Sequence, residues 1–177
     1  MNINNMFPKH LQNIIDPNTT YLQEDSLLHG ELCCTCGEKK FSVQIFALAQ
    51  ENNVLVKEYE GQYALYIVMR CSKCGKEWVI FDYTKHGYNA LVSKNEVQIP
   101  DKLIEEWYCP ECRENLFTVK ITIELEDQEQ FVEDVVIGEY SDMSADDYIE
   151  AFGWIIIDLT CENCSHEMKG WVDLETS

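Results

Sequence analysis

From Phe117 to Leu125 the odd positions are apolar (Phe117, Val119, Ile121, Ile123, Leu125), and the even ones are polar (Thr118, Lys120, Thr122, Glu124). Successive side chains of an extended chain point to opposite sides, so this alternation predicts a β-strand with one buried face. Phe41 to Ala49 carries the same period less regularly. Residues 63–69 and 154–159 are apolar almost throughout, as in strands covered on both faces, and 77–83 and 169–174 supply one further strand each. Helix signals are few. Pro8 opens a short predicted helix through Ile15, closed before Asp16-Pro17. Ser144, followed by Asp146 and Asp147, predicts a helix start, with Gly153 ending the element. Val132 to Ile137 reads as a further strand or hairpin arm. The expected fold class is mainly β with minor α.

The pattern occurs twice. Cys33-Cys34-Thr35-Cys36 precedes Phe41-Ser42-Val43-Gln44-Ile45, and Cys109-Pro110-Glu111-Cys112 precedes Phe117-Thr118-Val119-Lys120-Ile121. With Cys36 set on Cys112, phenylalanine, valine and isoleucine coincide. Leu65 to Arg70 runs into Cys71-Ser72-Lys73-Cys74 as Ile155 to Thr160 runs into Cys161-Glu162-Asn163-Cys164. Each copy then reaches a Trp-Val pair, Trp78-Val79 and Trp171-Val172. The chain therefore reads as an extension (1–29), a first repeat (30–84), an ordered connector (85–104) and a second repeat (105–177). Each repeat is expected to be a three-stranded antiparallel sheet with two cysteine turns at one end. Thirty-four residues separate Cys36 from Cys71, and 48 separate Cys112 from Cys161; the extra 14 lie in an acidic insertion within 126–153.

Nine cysteines in a chain whose first ten residues lack an apolar signal segment point to metal or thiol chemistry in a reducing, cytoplasmic setting, not to a disulfide framework. No run of 18 apolar residues suggests a membrane span. Paired cysteines three apart let two sulfurs reach one ion, and two such turns complete a tetrahedral structural site. The expected ligands are Cys33, Cys36, Cys71 and Cys74 for one Zn²⁺, and Cys109, Cys112, Cys161 and Cys164 for a second. At the first turn either Cys33 or Cys34 can pair with Cys36. An ungapped alignment of the repeats sets Pro110 over Cys34 and so favours Cys33. A closed four-thiolate shell leaves no position for a reacting water, so the site residues include no catalytic group. Cys109-Pro110-Glu111-Cys112 has the spacing of disulfide-exchange sites, which keeps thiol redox or metal transfer as an alternative.

These four cysteine pairs resemble the zinc-ribbon class, over residues 31–84 and 105–175. The resemblance implies a module for protein or nucleic-acid contact and no enzyme activity.

Charge separates the two halves. Residues 1–100 carry 9 basic and 11 acidic side chains, and residues 101–177 carry 4 and 21, giving net charges of −2 and −17. Such a field repels phosphate backbones, which excludes duplex nucleic acid and favours a protein partner with a basic surface. The expected function is a non-catalytic adaptor or inhibitor, including toxin-neutralising or nucleic-acid-mimicking roles. Against this, Lys39, Lys40, Arg70, Lys73 and Lys76 surround the first pair of cysteine turns, with Trp78 close by. That candidate patch supports an RNA- or DNA-associated alternative. Because the charge gathers in repeat 2, chelation is expected to unfold that repeat first.

Overall fold

Strand periodicity dictates most of what the backbone does. The computed structural model describes residues 3–24, 26–93, 96–133, 135 and 143–177. Its strands are β1 (Tyr21–Gln23), β2 (Leu27–Glu31), β3 (Phe41–Phe46), β4 (Leu48–Ala49), β5 (Val54–Leu55), β6 (Lys57–Tyr59) and β7 (Gln62–Ala64). They continue with β8 (Tyr66–Cys71), β9 (Glu77–Asp82), β10 (Glu105–Trp107), β11 (Phe117–Glu124), β12 (Trp154–Cys161) and β13 (Glu167–Glu175). Two short α-helices, α1 (Tyr88–Ser93) and α2 (Gln128–Phe131), complete a mainly β fold.

Each repeat forms the expected three-stranded antiparallel unit, β3-β8-β9 and β11-β12-β13. The strand leading into each repeat, however, pairs with the other repeat. β2 runs antiparallel to β11 (Gly30 opposite Ile121), and β10 runs antiparallel to β3 (Glu105 opposite Ile45). Phe41 lies opposite Phe117, the residue that matches it in the repeat. The copies are thus related by an approximate two-fold axis at this pair, and nine strands join into one sheet. The small hairpins β4-β5 and β6-β7 stand apart from it.

One hydrophobic cluster draws on both copies. Phe41, Phe117, Phe81, Phe152, Ile67 and Trp171 are fully buried in it, and Trp107 of β10 packs on Trp171 with ring centres 5.6 Å apart. Each such side chain stabilises the fold by about 1.5–3 kcal/mol through burial alone. The ladders revise one part of the repeat alignment. Trp78 faces Met69, and Met168 faces the equivalent Leu159, so the two tryptophans do not correspond.

The segment before β1 does not form the helix predicted from Pro8. A 3-10 turn over Ile3–Met6 is followed by irregular turns. The chain is drawn out of a helical path because the Ile14 carbonyl accepts from Cys33 N–H (2.7 Å) and Asp16 N–H donates to the Glu31 carbonyl (2.8 Å). Phe7, Leu11 and Ile14 are fully buried there. A Cβ on Gly30 would stand 2.9 Å from Ile15 Cγ2 and 3.0 Å from Phe7, so only glycine lets this segment close on β2.

In the insertion, Asp127 caps α2 by accepting from Gln130 N–H (2.8 Å). Val132 takes helical dihedrals as the last residue of that turn, so the strand expected from Val132 is not formed at its start; residues 134, 136 and 137 lie outside the described residues. Ser144 leads into a short 3-10 turn over Ala145–Ile149, its N–H held by the Asp147 carboxylate at 2.8 Å. Phe131, Val135 and Ala151 form a second small cluster beside Tyr88 and Leu91. The connector is ordered by α1, where Asn89 N–H donates to the Thr176 carbonyl (2.7 Å) and Tyr88 N–H to the Phe152 carbonyl (3.2 Å). No described helix is long and apolar enough to cross a membrane.

His10 and His86 stack face to face, with ring centres 3.6 Å apart. His10 Nε2 donates to the Ile80 carbonyl, and His86 Nδ1 accepts from Asp82 N–H, which requires a neutral His86 ring. Burial, reinforced by the neighbouring His86, pushes His10 down to about 3; burial, with Lys85 nearby, pushes His86 down to about 4. Both values lie below the unfolded value of about 6.5, so the unfolded chain binds the protons first. Stability from this pair is complete above pH 6.5 and is lost as the pH falls toward 4. At pH 5 the expected loss is roughly 2 kcal/mol per ring. A ¹H–¹⁵N titration should show neither imidazole protonating between pH 7.5 and 5.5 while the protein stays folded. Titration of either near 6.5 would contradict the burial.

Candidate metal centres

The cysteines sit where strands begin and end, in tight turns with one hydrogen-bond plan. Cys109 N–H donates to the Glu114 carbonyl (2.8 Å) and Arg113 N–H returns to the Cys109 carbonyl (2.9 Å). Cys71 with Lys76 and Gly75, and Cys161 with His166 and Ser165, repeat this pattern at 2.9–3.0 Å. Each turn closes on a residue in the left-handed region: Gly37, Gly75, Arg113 and Ser165, with φ between 60° and 84°. The first turn is one residue shorter than the others. There Cys34 N–H donates to the Glu38 carbonyl (2.8 Å) and Gly37 N–H to the Cys34 carbonyl (2.7 Å).

The sulfurs of Cys34, Cys36, Cys71 and Cys74 lie within 4.8 Å of one another, as do those of Cys109, Cys112, Cys161 and Cys164. Cys34 to Cys74 and Cys36 to Cys71 are 3.5 Å apart; Cys109 to Cys164 is 3.6 Å and Cys112 to Cys161 is 3.5 Å. Tetrahedral coordination with metal–sulfur bonds of about 2.3 Å places sulfurs about 3.8 Å apart. Both sets can therefore close on an ion with small adjustments. Each draws its four residues from one repeat.

Cys34, and not Cys33, completes the first set, a correction to the register expected from sequence. Cys33 N–H is taken by the Ile14 carbonyl, and its thiol turns to the Cys34 carbonyl at 3.6 Å. Strand parity is the cause. Leu32 donates to the Val119 carbonyl and points into the core, so the next inward position is 34. In repeat 2 Trp107 points inward and Cys109 follows two residues later. Aligning the lead strands on Leu32 and Trp107 would have placed Cys34 on Cys109, at the cost of one gap.

Backbone amides face the sulfurs. Burial opposes ionisation of Cys34, but the Cys36 N–H and the thiols of Cys74, Cys71 and Cys36 lower it to about 6. The Glu114 N–H and then the Asn163 side chain lower Cys112 to about 6. The Glu38 N–H favours the Cys36 thiolate, yet desolvation and the neighbouring sulfurs push it up to about 12. Sulfurs this close share protons until a cation compensates several thiolates together. Burial, followed by the Asp16 carboxylate, raises Cys33.

The basic residues of the first repeat are partly engaged within the chain. Lys39 Nζ lies 2.7 Å from Asp16, and Lys40 Nζ lies 2.7 Å from Glu162 of the other repeat. Lys76 Nζ sits 3.8 Å from the centre of the Trp78 ring and covers one of its faces. Arg70 and Lys73 are exposed. His166 binds Asn52 Oδ1 (3.0 Å) and lies outside the second sulfur set.

Compared with known proteins, the chain matches no family model, no curated protein and no solved structure.

Proposed function

We propose that the chain is a zinc-binding interaction protein of zinc-ribbon-like construction, in which two Zn²⁺ ions hold the sheet and the acidic second repeat meets a basic surface on a protein partner. The pair of four-sulfur sets carries this reading. All-thiolate donors in near-tetrahedral spacing suit a structural zinc ion, and four protein ligands leave no position at which a bound water could react. Cys34, Cys36, Cys71 and Cys74 would hold one ion, and Cys109, Cys112, Cys161 and Cys164 the other. The ions would supply cross-linking and charge compensation, not a reactive group. Thiolate sites of this kind persist in a reducing compartment.

The charge distribution supports the choice of partner: −17 over residues 101–177 favours a cationic protein surface over a phosphate backbone. The ion pairs of Lys39 and Lys40, and the cover of Lys76 on Trp78, reduce what the first repeat offers to single-stranded nucleic acid. Two zinc ions per reduced chain are expected by elemental analysis without chelator. Affinity capture should recover a basic protein, released as salt rises toward about 0.5 M. One ion or none refutes the metal assignment, and recovery of nucleic acid as the bound species refutes the partner class.

A further inference from the structure

The outer face of the half-sheet β1-β2-β11-β12-β13 carries a groove lined largely by polar side chains. Two rows of cross-strand neighbours line it. Glu31 faces Lys120, which faces Asp158, and one step along Tyr21 faces His29, which faces Thr122. Together they border a groove of about 350 Å³ that also reaches Thr19.

Within the groove the polar groups are held in place. Gly170 N–H donates to Asp158 Oδ1 (2.7 Å), which orients this carboxylate and leaves its second oxygen without a donor among the described residues. Thr122 Oγ1 is 2.8 Å from His29 Nδ1, and His29 Nε2 is buried with no partner among the described residues. Tyr21, 56% exposed, stacks on His29 at 4.6 Å and presents its other face outward. Beyond these rows lie Glu124, Asp173 and Glu175 on the same face. None of Asp158, Glu124, Asp173 and Glu175 is ion-paired among the described residues, while Lys120 is paired with Glu31 at 3.8 Å.

The first repeat supplies an internal comparison. Its positions equivalent to Lys120, Thr122 and Asp158 are Gln44, Phe46 and Val68, on the same ladder. The shared architecture does not need a lysine, a hydroxyl or a carboxylate at those positions, so their presence on β11 and β12 is not required by the fold.

We infer that this face docks a basic segment of a protein partner and seats an arginine side chain in the groove, between Tyr21 and Asp158. Carboxylates without counterions call for a cation. An exposed aromatic ring and an oriented carboxylate bordering one groove favour a planar guanidinium, which can stack and form paired hydrogen bonds, over a compact ammonium. A second copy of this chain is a poor occupant, because like-charged faces would meet. The inference rests on the basic-partner reading and gives it a location.

Acetylated hexa-arginine amide, titrated into the metal-loaded full chain by calorimetry at about 0.15 M salt, tests it. Binding should shift the amide signals of Lys120, Thr122 and Asp158. Asp158→Asn with Tyr21→Ala should weaken it about tenfold, as expected for loss of one charge-assisted pair and its stacking partner. Glu129→Gln with Asp146→Asn, which removes charge from the insertion, should change it by less than about twofold. Retention of both metal ions shows that each variant is folded. Equal weakening by the two variants would overturn the groove while leaving a basic partner in place. Equal affinity for hexalysine would overturn the guanidinium assignment, and no binding by the unmodified chain would overturn both groove and partner class.

Discussion

Cys34→Ser should yield protein with one metal ion per chain, whereas Cys33→Ser should retain two. The two sulfurs are neighbours in sequence but lie on opposite sides of an extended segment, and only that of Cys34 stands 3.5 Å from Cys74. Removing it leaves three sulfurs and a hydroxyl that binds zinc weakly at neutral pH. Structural zinc contributes on the order of 10–16 kcal/mol of apparent binding energy in small modules, so loss of a ligand should lower the urea midpoint sharply. Cys33→Ser removes a half-buried thiol whose contact is its neighbour's carbonyl, a change expected to cost about 1 kcal/mol or less. Elemental analysis with urea unfolding decides between them. Two ions in the Cys34 variant and one in the Cys33 variant would restore the ungapped register.

Chelation should unfold both repeats together. Charge alone predicts that repeat 2 fails first, but the ladders couple the halves. Five residues of β11 pair with β2 from the first half, and three residues of β3 pair with β10 from the second. Both metal sets adjoin the central pair, since Cys71 lies opposite Phe41 and Cys161 opposite Phe117. Loss of either ion therefore loosens the strand on which the other repeat's lead strand is held. Followed by hydrogen exchange during chelator titration, protection at 66–71 and 155–161 should vanish in one transition, with a cost on the order of 10 kcal/mol for each ion removed. Loss of protection at 155–161 while 66–71 stays protected would show that the shared ladders do not couple the halves.

The strands were legible because their information is local. Phe117 to Leu125 shows in its own residues which side is buried, and β11 occupies Phe117–Glu124. Cysteine spacing likewise announced four turns. The helix expected from Pro8 is replaced by short turns, and its end is tied to β2 and Cys33 by the Ile14 carbonyl and the Asp16 N–H, contacts that lie outside the segment. The tryptophans were matched by identity, but counted along the ladders from the cysteine turns the residue equivalent to Trp78 is Met168, not Trp171.

By itself the sequence determined the β class, the duplication, the three main strands of each repeat, the seven cysteines other than Cys34 that enter the metal sets, and the unequal charge. All of these are written in side-chain type and spacing along short stretches. Only the tertiary structure decided that the lead strands exchange partners about Phe41 and Phe117, that Cys34 replaces Cys33, and that Tyr21, His29, Thr122 and Asp158 share one groove. Those results depend on pairing between strands as much as 97 residues apart, as Leu27 is from Glu124. Such pairings are fixed by the joint burial of both halves in a single core, a condition that no local pattern records.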